Sequence, residues 1–409
     1  MIWQQFSFKN LLKSIYQFSV YSIAFTIPIS TKLNSIFIIL ALIISLYHYI
    51  SKIRKFEYAR NYLLIISSVF LIYLIITLFW SPYISQDLGY LVKVISIIIF
   101  PILFYFKPLN ENEVKNIIAI FISSCFLVSI YCIIIAFKKS FNDPGAYYFF
   151  NKWYFYYHNF SSGINMNAIY LATYYVIGVN FLFYLHHRHH INFLTFLILT
   201  SYFILLIFIL AARMPLLSLG FVLILNISIY LKELRIKVIL KLLLLCTALL
   251  LIALNTPLIR TRLKTSFNEN ITLANGERFS DERFVLWYAA LKTWQKNNIF
   301  FGTGPGRGKK LLTNEYKLLE YKVAYENNYN AHNLYLDFLL RHGFVGLSIF
   351  IIILLTSFKK ALNQKSLIYA SFILIICISC ITESFLSQHD GIVIFFFFNS
   401  LFYNSFKEV

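Results

Sequence analysis

Charge is scarce in this sequence, and acidic charge is scarcest. Asp, Glu, Lys and Arg make up 13% of the 409 residues, with 17 acidic side chains against 36 basic ones. Soluble domains carry about a quarter charged residues and are about half apolar. This chain is 59% hydrophobic, which excludes an ordinary soluble protein. Cysteine is scarce too. Cys125, Cys132, Cys246, Cys377 and Cys380 all fall inside apolar runs, so no disulfide framework is implied. Cys377 and Cys380 have CxxC spacing but no further ligands nearby, and read as packing residues. The alternating pattern of a barrel strand is also missing. The charge that is present forms no nucleic-acid footprint: the net +19 is dispersed between apolar segments rather than gathered into one patch.

What remains are long apolar runs such as "LNSIFIILALIISLYHYI" and "VILKLLLLCTALLLIAL". Each is about the length a helix needs to cross a bilayer, roughly 20 residues. The chain reads as an all-α polytopic membrane protein with twelve spans. They are expected near 15–31, 34–50, 61–80, 88–106, 116–137, 164–185, 191–211, 214–231, 236–254, 333–358, 364–382 and 391–405. Alternate short loops then sort the basic residues. One set holds Lys9, Lys13, Lys52, Arg54, Lys55, Arg60, Lys107, Lys115, Arg188, Lys232, Arg235, Lys237, Lys241, Lys359, Lys360, Lys365 and Lys407; the other holds Lys32, Lys138, Lys139, Lys152 and Arg213. The positive-inside rule places the richer set, and both termini, in the cytoplasm. No cleavable signal peptide is expected, since no small-residue cleavage site stands out near the lysine-bearing start.

No short loop has room for a nucleotidase or kinase domain. The exception is the segment 255–332, between the ninth and tenth spans on the outer side. The expected organisation is therefore a nine-span bundle (1–254), an outer loop domain (255–332) and three C-terminal spans (333–409). A loop this long is functional or disordered, and this one reads as ordered. In "SDERFVLWYAALKTWQKNN", Ser280 is placed to cap a helix that carries Asp281 and Glu282 in its first turn. Phe284, Trp287, Tyr288, Leu291 and Trp294 share a face of it, suited to the membrane interface or to docking on the bundle. "GTGPGRG" breaks the chain and suits a hinge or lid. "KKLLTNEYKLLEYKVAYEN" reads as a second amphipathic helix. No internal repeat of the inverted-transporter kind is visible.

Three residues on the outer side carry chemistry. Arg213 lies at the tight turn between the seventh and eighth spans, Arg283 starts the loop helix, and His332 stands at the mouth of the tenth span. Arginine at a membrane-embedded turn is costly unless paired, and its planar fork suits phosphate oxygens. Histidine can take a proton from a hydroxyl near physiological pH. Two arginines and a histidine make a plausible kit for moving a sugar from a lipid pyrophosphate to an alcohol. Plainer readings stand beside this one: Arg213 snorkelling to headgroups, Arg283 as a solvated first-turn charge, His332 as a helix cap. Gly343 and Gly346 most simply permit close helix packing. Asn165 and Asn167 sit at the outer start of the sixth span, where capping accounts for one more easily than for two. Glu383 is placed to orient His332 or an acceptor. Arg307 can touch an anion. "GTGPGRGKK" is neither a phosphate loop nor GxGxxG. "HHRHH" at 186–190 lacks defined metal-ligand spacing, so no metal site is expected.

At "HNLYLDFLLRHGFVG" the residues acquire a family resemblance. His332, Asn333, nine residues, Gly343, two residues and Gly346 match the H-[NSQ]-x9-G-x-x-G pattern of the bacterial O-antigen ligase family. Arg213 and Leu217 match its R-x3-L element. "RFVLWYAAL" followed by "FGTGPG" resembles its outer-loop arginine, tryptophan and glycine pattern, with Arg283 and Trp287. "NMNAIYLA" is similar to its asparagine-rich span entry. The resemblance covers roughly residues 160–390. It implies a GT-C-like, metal-independent glycosyltransferase without cofactor, at the periplasmic face of the bacterial inner membrane. The implied donor is a glycan on undecaprenyl pyrophosphate, and the implied acceptor a lipid A-core sugar. By the same resemblance, Arg213 and Arg283 would bind the pyrophosphate and His332 would activate the hydroxyl. Asn333, Asn165, Asn167, Trp287, Arg307 and Glu383 would contact substrate, with Gly343 and Gly346 structural. An O-antigen polymerase and a protein O-oligosaccharyltransferase share the architecture, and the histidine motif favours the ligase. A lipid-linked glycan transporter is the alternative from another class.

Overall fold

The computed structural model describes residues 2–52, 61–80, 82–143, 152–230 and 271–405. The ninth expected span, the boundary at 254 and 255, loop residues 255–270, Cys246, Arg54, Lys55, Arg60, Lys232, Arg235, Lys237, Lys241 and Lys407 lie outside the described residues.

The other expected spans each fall on helix. In chain order these are α1 (Ile2–Thr26), α2 (Thr31–Lys52), α3 (Tyr62–Thr77), the pair α4 (Ile84–Val94) and α5 (Ser96–Phe106), and α6 (Glu111–Phe141). A short α7 (Tyr157–Ser161) precedes α8 (Ala168–His187), α9 (Phe193–Leu210) and α10 (Arg213–Tyr230). The loop unit holds α11 (Glu282–Gln295), α12 (Pro305–Leu318) and α13 (Lys322–Glu326). The chain then returns through α14 (Leu334–Asn363), α15 (Leu367–Thr382) and α16 (His389–Ser405). Among the described residues, the only sheet is a two-residue ribbon, β1 (Ile271–Thr272) against β2 (Arg278–Phe279). The α4–α5 pair, α6, α8, α9 and α14 are long and apolar enough to cross a membrane, and α2, α3, α10 and α15 contribute shorter apolar segments. The protein is an all-α polytopic membrane protein.

Burial explains how these helices sort. A helix that is apolar all round belongs in lipid or inside a bundle. α8 is buried from Ala168 to Leu185, and α16 from Gly391 to Tyr403. The two pack through aromatic edges, with the Phe181 and Phe398 rings 4.8 Å apart. Polar groups bridge the central helices where no water can serve them. Asn180 Nδ2 donates to the Ile368 carbonyl at 3.0 Å, and Tyr369 Oη to Asn399 Oδ1 at 2.6 Å. The surrounding helices show large apolar side chains outward, such as Leu127, Ile134, Leu194 and Ile198. That is the surface acyl chains would cover.

The loop unit has its own core of Val285, Leu286, Ala289, Leu312 and Tyr316, which reaches Leu340 of α14. Several sequence expectations change in detail. The N-cap of α11 is Asp281, not Ser280: its side chain accepts from the Arg283 backbone N–H at 2.8 Å. The aromatic face of α11 is the outer one, with Phe284 and Leu291 exposed and Trp287, Tyr288 and Trp294 half-buried; the aliphatic face is the one buried. The expected second amphipathic helix is two, α12 and α13, broken near Glu320, whose φ is +55°.

The "GTGPG" segment is not a loose hinge. It is docked against a break in α14 at Gly343, whose φ is +62° and ψ −168°. Thr303 N and Gly304 N donate to the Leu340 and Arg341 carbonyls at 3.0 and 2.9 Å. Phe344 N and Val345 N donate to the Ile299 and Phe300 carbonyls at 3.1 and 3.0 Å. Gly343 thus serves a chain crossing rather than a helix-helix contact, because only glycine readily takes this backbone conformation. Gly346 follows from the same break: a Cβ there would stand 2.2 Å from that of His342.

Candidate functional site

Five segments of the chain converge on one cavity of about 540 Å³. The turn from α9 to α10 brings Arg213. Ala211 takes a left-handed φ of +44° there, which reverses the chain in two residues. The N-terminus of α11 brings Asp281, Glu282 and Arg283; the approach to α14 brings Tyr329 and His332; the end of α15 brings Thr382 and Glu383. Tyr157, His158 and Asn167 close the remaining side.

His332 is held by its backbone and its ring. Its φ is +44°, and its N–H donates to Asn330 Oδ1 at 2.9 Å, a local turn of the kind asparagine side chains favour. The ring Nδ1 is 3.2 Å from Glu383 Oε2. Glu383 is 5% exposed and follows directly on α15. A carboxylate only accepts, so the proton of neutral His332 is assigned to Nδ1 and Nε2 becomes the basic nitrogen. Tyr329 meets the imidazole edge-on, with ring centroids 5.5 Å apart. Trp287 Nε1 donates to the His332 carbonyl at 3.5 Å.

The arginines sit beside one another in a half-desolvated place. Arg213 Nη1 is 3.3 Å from Asp281 Oδ2. Burial and the Arg213 charge push the Arg283 guanidinium down from its ordinary value, more than Asp281, Glu383 and Tyr157 raise it. Arg283 is therefore an under-compensated cation, and an anion in the cavity would restore its balance. Glu282 Oε1 is buried without a partner among the described residues.

The other sequence candidates distribute unevenly. Asn167 lines the cavity, and its side chain caps α8 by accepting from Ile169 N at 2.8 Å. Asn165 lies outside the lining; its φ of +53° is one asparagine tolerates. Asn333 caps α14, accepting from Leu336 N at 3.1 Å. Arg307 lines a different cavity. The two asparagines that puzzled the sequence reading thus both have backbone roles. Sequence reasoning missed Tyr329, His158 and Glu282 as lining residues. Glu282 was visible, but as a helix-start charge only; nothing marks Tyr329 before the chain folds.

Residues 194–351 match the family model described as O-antigen ligase. That stretch runs from α9 into α14 and includes Arg213, Arg283 and His332. A search of curated proteins gave no match.

Proposed function

We propose, from the O-antigen ligase family assignment that this match supports, that the protein is an O-antigen ligase. The match itself carries the coarser statement, an enzyme of the ligase and polymerase group acting on lipid-linked glycan in a membrane. In the fuller reading, the protein sits in the bacterial inner membrane with both termini cytoplasmic and the cavity open to the periplasm. The donor is polysaccharide on undecaprenyl pyrophosphate, and the acceptor a hydroxyl of a lipid A-core sugar. The observation that carries this reading is the meeting of His332, Arg213 and Arg283 in one cavity.

The reaction uses them in distinct roles. The acceptor oxygen bonds to the donor's anomeric carbon while the bond from that carbon to the pyrophosphate oxygen breaks. The hydroxyl proton passes to His332 Nε2, and Glu383 holds the ring and stabilises the imidazolium that forms. Negative charge grows on the departing undecaprenyl pyrophosphate, and Arg213 and Arg283 receive it. Their forks supply the countercharge a metal ion would otherwise give, so the mechanism needs no metal. An O-antigen polymerase would use the same donor chemistry with a lipid-linked repeat as acceptor. A transporter would place its critical charges along a path open to both sides, whereas His332, Arg213 and Arg283 meet in one cavity.

A lipopolysaccharide gel tests the reading. Cells lacking the protein should show bare lipid A-core while long glycan accumulates on undecaprenyl pyrophosphate, restored by the wild type but not by His332→Ala. Lipid A-core bearing a single repeat would mean a polymerase instead, and an unchanged ladder would reject both.

The Arg283 environment gives a second test. Lysine begins about two units below arginine, and in Arg283→Lys the same burial and the same Arg213 charge would lower it further. Its charge is then present at low pH and lost as pH rises through the lowered value. The donor KM of this variant should rise as pH climbs through a value below the ordinary lysine range of about 10.4, while that of the wild type stays flat. Parallel profiles would remove the charge argument.

A further inference from the structure

A second cavity, of about 800 Å³, lies between α4 and the start of α12, with Arg341 of α14 in its lining. Its charge differs from that of the first. The first sets Arg213 and Arg283 against Asp281, Glu282 and Glu383. The second is lined by Lys93, Arg307, Lys309, Lys310 and Arg341 and by no carboxylate. Asp337 fixes Arg341 through Nε at 2.8 Å. Lys310 Nζ stands 3.8 Å over the Tyr83 ring. Among the described residues, Lys93, Arg307, Lys309 and Lys310 make no ion pair.

The position of this cavity narrows its ligand. Gln86, Gly89, Tyr90 and Lys93 of α4 face it, at helical spacing. The neighbouring face of the same helix shows Ile84, Leu88 and Val92, exposed by 55%, 47% and 72%. An anion site beside an exposed apolar stripe suits a headgroup whose chains lie along α4. Asn328 lines this cavity while its chain neighbour Tyr329 lines the first, so a thin partition separates the two. Arg341 lies seven residues beyond Leu334, the first residue of α14, roughly 10 Å along the helix axis, and His332 stands two residues before that start, a separation that a few linked sugars can span.

We propose that this cavity binds the phosphate groups of the acceptor glycolipid and so positions its sugar hydroxyl at His332. This rests on the transferase reading above. A transferase joining two lipid-linked molecules needs a place for each. The first cavity, with its paired arginines beside His332, serves the donor pyrophosphate, and of the two linings only the second has an excess of positive charge.

The test uses the full chain in detergent and native mass spectrometry of retained lipid. Four probes are compared: lipid A with its phosphates, lipid A without them, phosphatidylglycerol, and an undecaprenyl pyrophosphate glycan. The triple variant Lys93→Gln, Lys309→Gln, Lys310→Gln removes charge. Gly89→Trp instead fills the space, since a Cβ at Gly89 meets nothing within 4 Å. Phosphorylated lipid A should be retained at least about tenfold more weakly by both variants and unchanged by His332→Ala. In transfer assays the acceptor KM should rise by a similar factor, with donor KM and kcat nearly constant. Equal retention by wild type and triple variant, or indifference to the phosphates, would overturn the proposal. So would phosphatidylglycerol held as tightly as lipid A, which would mark an ordinary headgroup site. Retention of a second undecaprenyl pyrophosphate glycan in place of lipid A, lost in the triple variant, would support the phosphate site while overturning the ligase reading.

Discussion

Replacing His332 with alanine is expected to lower glycan transfer by about 10²- to 10⁴-fold, the range that a positioned general base contributes. Membrane insertion should be unaffected. The His332 side chain is 29% exposed, so its removal unmakes the contacts with Tyr329 and Glu383 at the cavity wall without opening the bundle core. Its backbone, however, is left-handed at φ +44°, a conformation that costs alanine roughly 1–2 kcal/mol. A merely structural histidine would therefore also show an effect. His332→Asn separates the two roles. Asparagine accepts the left-handed region more readily than other side chains but cannot take the proton. It should be as inactive as the alanine variant and as stable as the wild type. Glu383→Gln should fall between, because the carboxamide can still accept from Nδ1 but no longer carries charge against the imidazolium. Transfer assays with purified donor and acceptor, alongside thermal unfolding, check all three. Near wild-type turnover by His332→Asn would end the role of His332 as a base.

Much of this arrangement was legible before folding, because membrane constraints write themselves plainly into sequence. Runs of about 20 apolar residues located the helices α1 to α6, α8 to α10 and α14 to α16, while the ninth expected span lies outside the described residues. Arg213 and His332 stood out because a membrane protein rarely spends charge or imidazole at a helix mouth. Less legible were the contacts that bring segments together. Asp281 is 68 residues from Arg213, and no local pattern announces that pair; Glu383, 51 residues from His332, was open from sequence to orienting either His332 or an acceptor. The docking of 299–304 on α14 was misread as looseness, since glycine-rich sequence looks the same whether glycine supplies flexibility or close approach. The partition at Asn328 and Tyr329, with a cavity on each side, left no sequence signal at all.

That docking makes Gly343→Ala the most damaging single substitution expected outside the first cavity. Three costs act together. At φ +62° and ψ −168° the backbone lies in a region reserved almost wholly for glycine, and such conformations cost of order 1–3 kcal/mol. An added Cβ would stand 2.2 Å from the Phe300 carbonyl oxygen and 2.5 Å from Gly302 N. Both atoms are backbone, so no rotamer change relieves the contact. If 299–304 moves away instead, the four backbone hydrogen bonds to α14 are lost. Buried groups left unpaired cost about 1–3 kcal/mol each. Tyr73 Oη, which donates to both the Phe301 and His342 carbonyls at 3.0 and 2.6 Å, would lose its bridge as well. A destabilisation of at least roughly 3 kcal/mol is expected, a value that only specific backbone or core lesions reach. The buried thiols Cys125, Cys132 and Cys380 give the measurement: on heating in detergent, a thiol-reactive fluorophore should label the variant at a clearly lower temperature. Gly89→Ala is the control. Its Cβ meets nothing and it sits inside α4, where alanine is favoured over glycine by about 0.5–1 kcal/mol, so its labelling temperature should hold or rise. Transfer by Gly343→Ala should fall in step with folded protein, because the α11–α12 unit that presents Arg283 is moored to α14 through this crossing. If Gly343→Ala unfolds like the wild type, the break in α14 is not held by this contact, and the link from Gly343 to Arg283 fails with it.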